Sequence, residues 1–151
     1  MTPSYYIVSI YNIYNINIYI TSLTLSIILL ILLLAFYILL MDISFNGIYY
    51  TIEYGGNIII FEYLFWLFGH PEVYVIIIPV FGIIILCIYL EMIGISSMLG
   101  LISVLCSTIC IAMIGFLVWA HHLYAIGLEL DTSAIFSCLT LTISIPTGIK
   151  V

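Results

Sequence analysis

Basic residues are almost missing from this chain. It has one lysine and no arginine in 151 residues, against seven acids, for a net charge of −6. Nucleic-acid binding needs a clustered Lys/Arg footprint, so it is excluded. The positive-inside rule has nothing to count. Residues 1–20 hold no Lys or Arg, so they carry neither the charged start of a secretory signal nor an Arg-rich transit peptide. This points to a chain made in the compartment where it inserts. Cysteine is scarce and unpaired in pattern: Cys87, Cys106, Cys110 and Cys138 form no CxxC motif and read as small apolar packing residues. Charge of any sign is rare at 5%, while 66% of residues are hydrophobic. That composition excludes an ordinary globular domain and predicts a membrane protein.

The apolar runs predict an all-α membrane protein with about four transmembrane helices. Residues 1–21, rich in Tyr, Asn and Ile, read as an interfacial leader, with tyrosines suited to the headgroup zone. The spans are expected at 22–41, 62–91, 98–120 and 132–151. About 20 apolar residues reach across a hydrocarbon core of about 30 Å. The second is longer than this requires, so it projects or tilts, and it contains Pro71 and Pro79. Asn46-Gly47 and Gly55-Gly56-Asn57 mark a loop between the first two spans, and Gly94 to Ser97 a turn between the next two. Gly100, Ser103, Ser107, Ala112 and Gly115 supply small residues for close helix packing. Asp131 or Thr132 is expected to cap the last span.

Six acids (Asp42, Glu53, Glu62, Glu91, Glu129 and Asp131) fall near span ends or in loops and read as solvated headgroup-region charges. Glu72 does not. It lies in Trp66-Leu-Phe-Gly-His-Pro-Glu-Val-Tyr74, inside an apolar run. On a helix Trp66, His70 and Tyr74 stand i, i+4, i+8, about 40° apart per step, and share one face. Ionisable groups at membrane depth are costly and face protein or water, which makes this stretch the first functional candidate.

The chain has three histidines: His70 and the adjacent pair His121-His122. They read either as hydrogen-bonded packing residues or as a metal site, since three neutral imidazoles suffice to hold copper. Neighbouring residues do not share a helix face, so the pair needs a tight non-helical backbone, and the span end at Ala120 supplies one. Lys150 lies deep in the last apolar run, with Thr147 on its face. It reads as a lysine snorkelling from a span end or as a buried functional cation.

Three stretches, Trp66 to Tyr74, Val118-Trp-Ala-His-His122 and Ile145-Pro-Thr-Gly-Ile-Lys150, resemble subunit I of the haem–copper oxidases, closest to cytochrome c oxidase subunit 1 of the mitochondrial type. They occur in the family's order and spacing. The resemblance covers roughly residues 22–151 and implies part of a twelve-helix bundle, spans five to eight. It implies that His70, His121 and His122 ligate the copper called CuB. By the same likeness Tyr74 is the redox-active tyrosine joined to His70, and Glu72 passes protons towards the site and the pump. Thr147 and Lys150 belong to the lysine-named proton pathway, and Trp66 and Trp119 pack beside the binuclear centre. The implied activity is reduction of O2 to water coupled to proton pumping, in the mitochondrial inner membrane. The axial histidines of haem a and haem a3 belong to spans outside this chain. The haems are therefore expected on other polypeptides, and the chain is expected to be one piece of a split subunit. Expected partners are other fragments of subunit 1, oxidase subunits 2 and 3, cytochrome c as electron donor to the complex, and the lipid bilayer. Two rival readings are a non-catalytic scaffold subunit of a respiratory complex and a fragment of a quinol oxidase.

Overall fold

The computed structural model describes residues 3–91 and 101–150, with side chains for residue 12 and for 14–87 and 103–149. The elements are α1 (Pro3–Phe45), a 3-10 turn (Ile52–Tyr54), α2 (Ile59–Glu91), α3 (Leu101–Gly115), a 3-10 segment (Trp119–Ile126) and α4 (Leu130–Lys150). The expected turn at Gly94 to Ser97, the start of the third span at Met98 and Gly100 lie outside the described residues. Four helical stretches are long and apolar enough to cross a membrane: Tyr14–Phe45, Ile59–Cys87, Ser103–Ile126 and Leu130–Ile149. Leu30, Leu33, Ile76 and Leu141 point their side chains outward, as a bilayer or further apolar helices would require.

Residues 3–21 of the expected leader are helical and form the first part of α1, unbroken into the first span. Its Tyr/Asn/Ile pattern has no helical period to read, but no proline or glycine follows Pro3 to interrupt it. At about 1.5 Å per residue, 43 residues make a helix roughly twice the hydrocarbon thickness. The helix stops at Asn46, which takes a left-handed φ of 53°, and Gly47 N–H donates back to the Met41 carbonyl. Asp42 is more than a solvated headgroup charge: its carboxylate accepts the N–H groups of Tyr49 (3.0 Å) and Tyr50 (2.7 Å) and folds the connection. Burial of the Tyr50 phenol, and the Asp42 charge beside it, push its pKa above the usual tyrosine value. Asn57 then caps α2 by accepting the Ile59 N–H at 2.9 Å.

α1 and α2 form an antiparallel hairpin. Asn17 meets Gly82, Ile28 packs with Phe68 and Val75, and the Phe36 ring lies 6.4 Å from that of Phe61. Numbers rise along α1 as they fall along α2. Gly82 permits the close approach at Asn17, because a Cβ there would stand 2.9 Å from the amide nitrogen. α3 and α4 pair more openly and leave a groove of about 270 Å³ between them, lined by Cys106, Cys110, Ile145, Pro146 and their neighbours. All four cysteines are exposed here rather than buried, Cys106 and Cys110 because the groove they line between α3 and α4 is open. Ser107, Ala112 and Gly115 are buried as expected of small packing residues, whereas Ser103 is exposed.

The third span is not one helix to Ala120. α3 ends at Gly115, and the turns tighten through Phe116 N–H to Met113 and Leu117 N–H to Ile114 carbonyls before the 3-10 segment begins. Neither Asp131 nor Thr132 caps α4. α4 begins at Leu130, both residues lie within its first turn, and the Ser133 N–H and the Thr132 hydroxyl both donate to the Glu129 carbonyl, at 3.0 and 2.7 Å. Glu53, Glu62, Glu129 and Asp131 are exposed, in keeping with headgroup-region charges.

Candidate metal centre

α2 supplies the first wall of the site. Pro71 and Pro79 each remove one backbone donor, yet α2 runs continuously through both. Trp66, His70 and Tyr74 share the face that the i, i+4, i+8 spacing requires, and this face looks onto the 3-10 segment. Trp66 stacks flat on His122, with ring centroids 4.3 Å apart and planes 8° from parallel. The Tyr74 ring stands edge-on to His70 at 4.6 Å. Gly115, where α3 ends, makes space for that ring: a Cβ there would lie 2.8 Å from Tyr74 Cδ2.

The 3-10 segment supplies the second wall. A 3-10 turn has three residues and a rise of about 2 Å per residue. Within it His121 and His122 place their rings 4.3 Å apart and tilted by 47°. The adjacent pair therefore occupies the tight, non-α backbone that its sequence demanded, although the helix ends earlier than Ala120. His70 Nδ1 lies 3.0 Å from His122 Nε2, and His121 Nε2 lies 3.1 Å from the same atom. The three side chains, one from α2 and two from the turn, form the metal-competent group found among the described residues, with ligand atoms all within 4.8 Å of one another.

The protons available at the three imidazoles decide what this arrangement can hold. The Thr140 hydroxyl on α4 donates its one hydrogen to the Phe136 carbonyl at 2.7 Å. Its oxygen therefore accepts from His121 Nδ1, 3.1 Å away, so the His121 proton sits on Nδ1 and Nε2 carries a lone pair. That lone pair faces His122 Nε2. A neutral imidazole has a single N–H, so His122 cannot donate to both His70 and His121 through one nitrogen. A cation at the convergence of the three nitrogens satisfies all of them. Their 3.0 and 3.1 Å separations suit neighbouring ligands on a first-row ion bonded at about 2 Å. His70 is 6% exposed, and its other nitrogen, Nε2, is buried with no hydrogen-bond partner among the described residues.

The other sequence candidates stand at different distances from this centre. Trp119 forms ring contacts with Tyr63 (5.7 Å) and Phe136 (6.0 Å), bracing α2 against α4 one layer out from the imidazoles. Glu72 is half-buried and lies about 200° round α2 from His70, off the imidazole face. Thr147 is half-buried, and its hydroxyl donates to the Ile143 carbonyl at 2.9 Å. Lys150 ends α4, and its side chain lies outside the described residues. Thr140 and Gly115 are the site residues that sequence reasoning missed. Thr140 is one of many hydroxyls on α4, and only the helix's rotation singles it out. Gly115 was read simply as a small packing residue.

The family model for cytochrome c and quinol oxidase polypeptide I matches residues 3–151. Cytochrome c oxidase subunit 1 of Strigomonas oncopelti is 44% identical over 113 residues, which is 75% of this chain and 33% of the relative. The subunit of the same name from Candida albicans is 46% identical over 116 residues, 76% of this chain and 21% of that one. In Plasmodium berghei the identity is 42% over 135 residues, 89% of this chain and 28% of the relative. The chain thus spans a third or less of the length of these relatives, and the family model's match takes in all of α1, including the segment expected as a leader. With its all-helical, four-span architecture, the chain belongs to the cytochrome c and quinol oxidase polypeptide I family.

Proposed function

We propose that this chain is part of the catalytic subunit of a cytochrome c oxidase and that His70, His121 and His122 hold its CuB copper. The convergence of His70 Nδ1, His121 Nε2 and His122 Nε2 within 3.0–3.1 Å contacts carries this reading. Bound copper would supply a redox-active centre for O2 reduction, facing a haem held by histidines outside these four helices. The chain's own residues prepare that chemistry. The Thr140 oxygen fixes the His121 tautomer, and such outer partners orient metal-bound imidazoles. Trp66 stacks on one face of the His122 ring and restrains its orientation. Tyr74 holds a phenolic proton beside His70, and the unpartnered Nε2 of His70 is the atom free to engage that ring. Glu72 and Lys150, with Thr147, are the proton carriers of this reading, because ionisable groups within membrane spans mark proton relays.

The assembled enzyme would sit in the mitochondrial inner membrane with subunits 2 and 3, take electrons from cytochrome c, reduce O2 to water and pump protons. Haem a and haem a3 would be ligated by histidines outside these four helices. A quinol oxidase is the second reading, because the matched family spans both donors. Metal analysis of the intact complex tests the copper assignment. Replacing His70 with Ala is expected to remove one copper per complex, and unchanged copper would refute the assignment. Replacing Lys150 with Met is expected to slow turnover with copper retained, and loss of copper would make Lys150 structural. Oxidation of reduced cytochrome c by the complex, with none of a quinol, separates the two donors.

A further inference from the structure

The 3-10 segment touches α4 through two polar rungs, and only the first involves a candidate ligand. Three residues per turn put positions 121 and 124 on the same edge of the segment. Residues 133, 137 and 140 share one face of α4 by their i, i+4, i+7 spacing. The rungs have the same construction. In one, His121 Nδ1–H donates to the Thr140 hydroxyl, which donates to the carbonyl four residues back, Phe136, at 2.7 Å. In the other, Tyr124 Oη stands 2.8 Å from Ser137 Oγ, which donates to the carbonyl four residues back, Ser133, at 2.8 Å. Because the Ser137 hydrogen is committed, the Tyr124 hydroxyl donates to Ser137, with the Ser133 carbonyl a longer alternative at 3.4 Å. Each rung ends on a backbone carbonyl of α4, so each ties the segment to the helix's rotation as well as to a side chain.

We propose that Tyr124 is a positioning residue for His121: its hydroxyl, held by Ser137, sets the rotation of α4 that presents Thr140 to His121 Nδ1. The alignment that needs fixing is narrow. One residue of α4 turns its side chain by about 100°, and a hydrogen bond weakens steeply once its angle falls below about 120°. Trp119 against Phe136 adds an apolar contact between the same elements, but ring packing tolerates sliding that a hydroxyl rung does not. Tyr124 thus acts on the metal centre through Thr140 and touches no candidate ligand's nitrogen. The inference rests on the copper reading of the histidines.

The test uses the assembled complex and follows copper retained during titration with a chelator, with the yield of assembled complex measured alongside. Losing an outer hydrogen-bond partner of a metal ligand typically costs about 10–100-fold in affinity, and Tyr124 acts one step further out. Tyr124→Phe is therefore expected to lose copper at chelator concentrations about threefold to tenfold lower, with assembly yield maintained. Ser137→Ala should match it, and Ser137→Thr, which keeps the hydroxyl, should restore retention. The decisive comparison is Tyr124→Phe made in a Thr140→Ala background, where it should add nothing, because its only route to the metal has been removed. Wild-type retention in Tyr124→Phe, or a full additive effect in the Thr140→Ala background, overturns the proposal. If Thr140→Ala loosens copper while Tyr124→Phe does not, the positioning role alone fails. If His121→Ala leaves copper untouched, the copper reading fails and this inference with it.

Discussion

α2 meets buried polar groups at two places about 18 Å apart along its axis, and the two are built on opposite principles. At His70 three imidazoles converge, with nitrogens 3.0 and 3.1 Å apart, and a Thr140 rung behind His121 fixes where one proton lies. At Gly82 the helix admits Asn17 of α1, which is 1% exposed and has both amide atoms without a partner. The first place holds several lone pairs that one cation satisfies. The second holds one amide donor group and one acceptor, buried beside Gly82 with no partner among the described residues. Burial of a polar group alone therefore does not mark a site here, and convergence of several groups on one point does. The hydroxyls of Thr24, Ser107 and Thr108 form a third class, buried but satisfied by carbonyls of their own helices.

Leucine placed at each location should break the comparison in opposite directions. His70→Leu is expected to abolish copper binding in the complex, read as metal content. Retention of copper there would erase the distinction. Next in size, Thr140→Ala should weaken copper retention by about 10–100-fold in a chelator titration while leaving the ligands intact. An unchanged titration would mean that the His121 tautomer needs no outer partner. Gly115→Ala should push a methyl group into the Tyr74 ring and cost about 1–3 kcal/mol, seen as a lower unfolding temperature of the complex. Unchanged stability would show that the ring has room to move. Asn17→Leu keeps the branched shape of the side chain and removes an unsatisfied amide, so it should stabilise by about 1–3 kcal/mol and leave copper unaltered. Destabilisation by that substitution would show that the amide has a partner in the assembled protein.

The site was more legible in the sequence than the packing around it. The shared face of Trp66, His70 and Tyr74 follows from helical spacing alone, and the structure seats their rings around one another and His122 as that spacing requires. The need for a backbone break at His121-His122 was equally readable, because adjacent residues cannot share an α-helical face. The position of the break was not. It follows the end of α3 at Gly115, beside Tyr74, a contact between helices that composition does not encode. Thr140 was hidden among similar residues: Ser133, Ser137, Thr140, Ser144 and Thr147 recur at helical spacing, and the rotation of α4 decides which one meets His121. The first half of α1 was illegible because its asparagines and tyrosines are scattered among isoleucines and mark no amphipathic period. The cysteines were misjudged for a related reason. Cys106 and Cys110 line an open groove and Cys87 and Cys138 are exposed, and burial preferences learned from complete cores do not apply to such surfaces.

The central claim is that three specific nitrogens hold one copper ion, and an experimental structure of the intact complex with metal identity assigned by anomalous scattering tests it most directly. The account predicts copper bonded at about 2 Å to Nδ1 of His70 and to Nε2 of His121 and His122, with Thr140 still accepting from His121 Nδ1. Copper found elsewhere in the complex with His70 more than about 4 Å from any metal, well beyond a metal–imidazole bond, would contradict it.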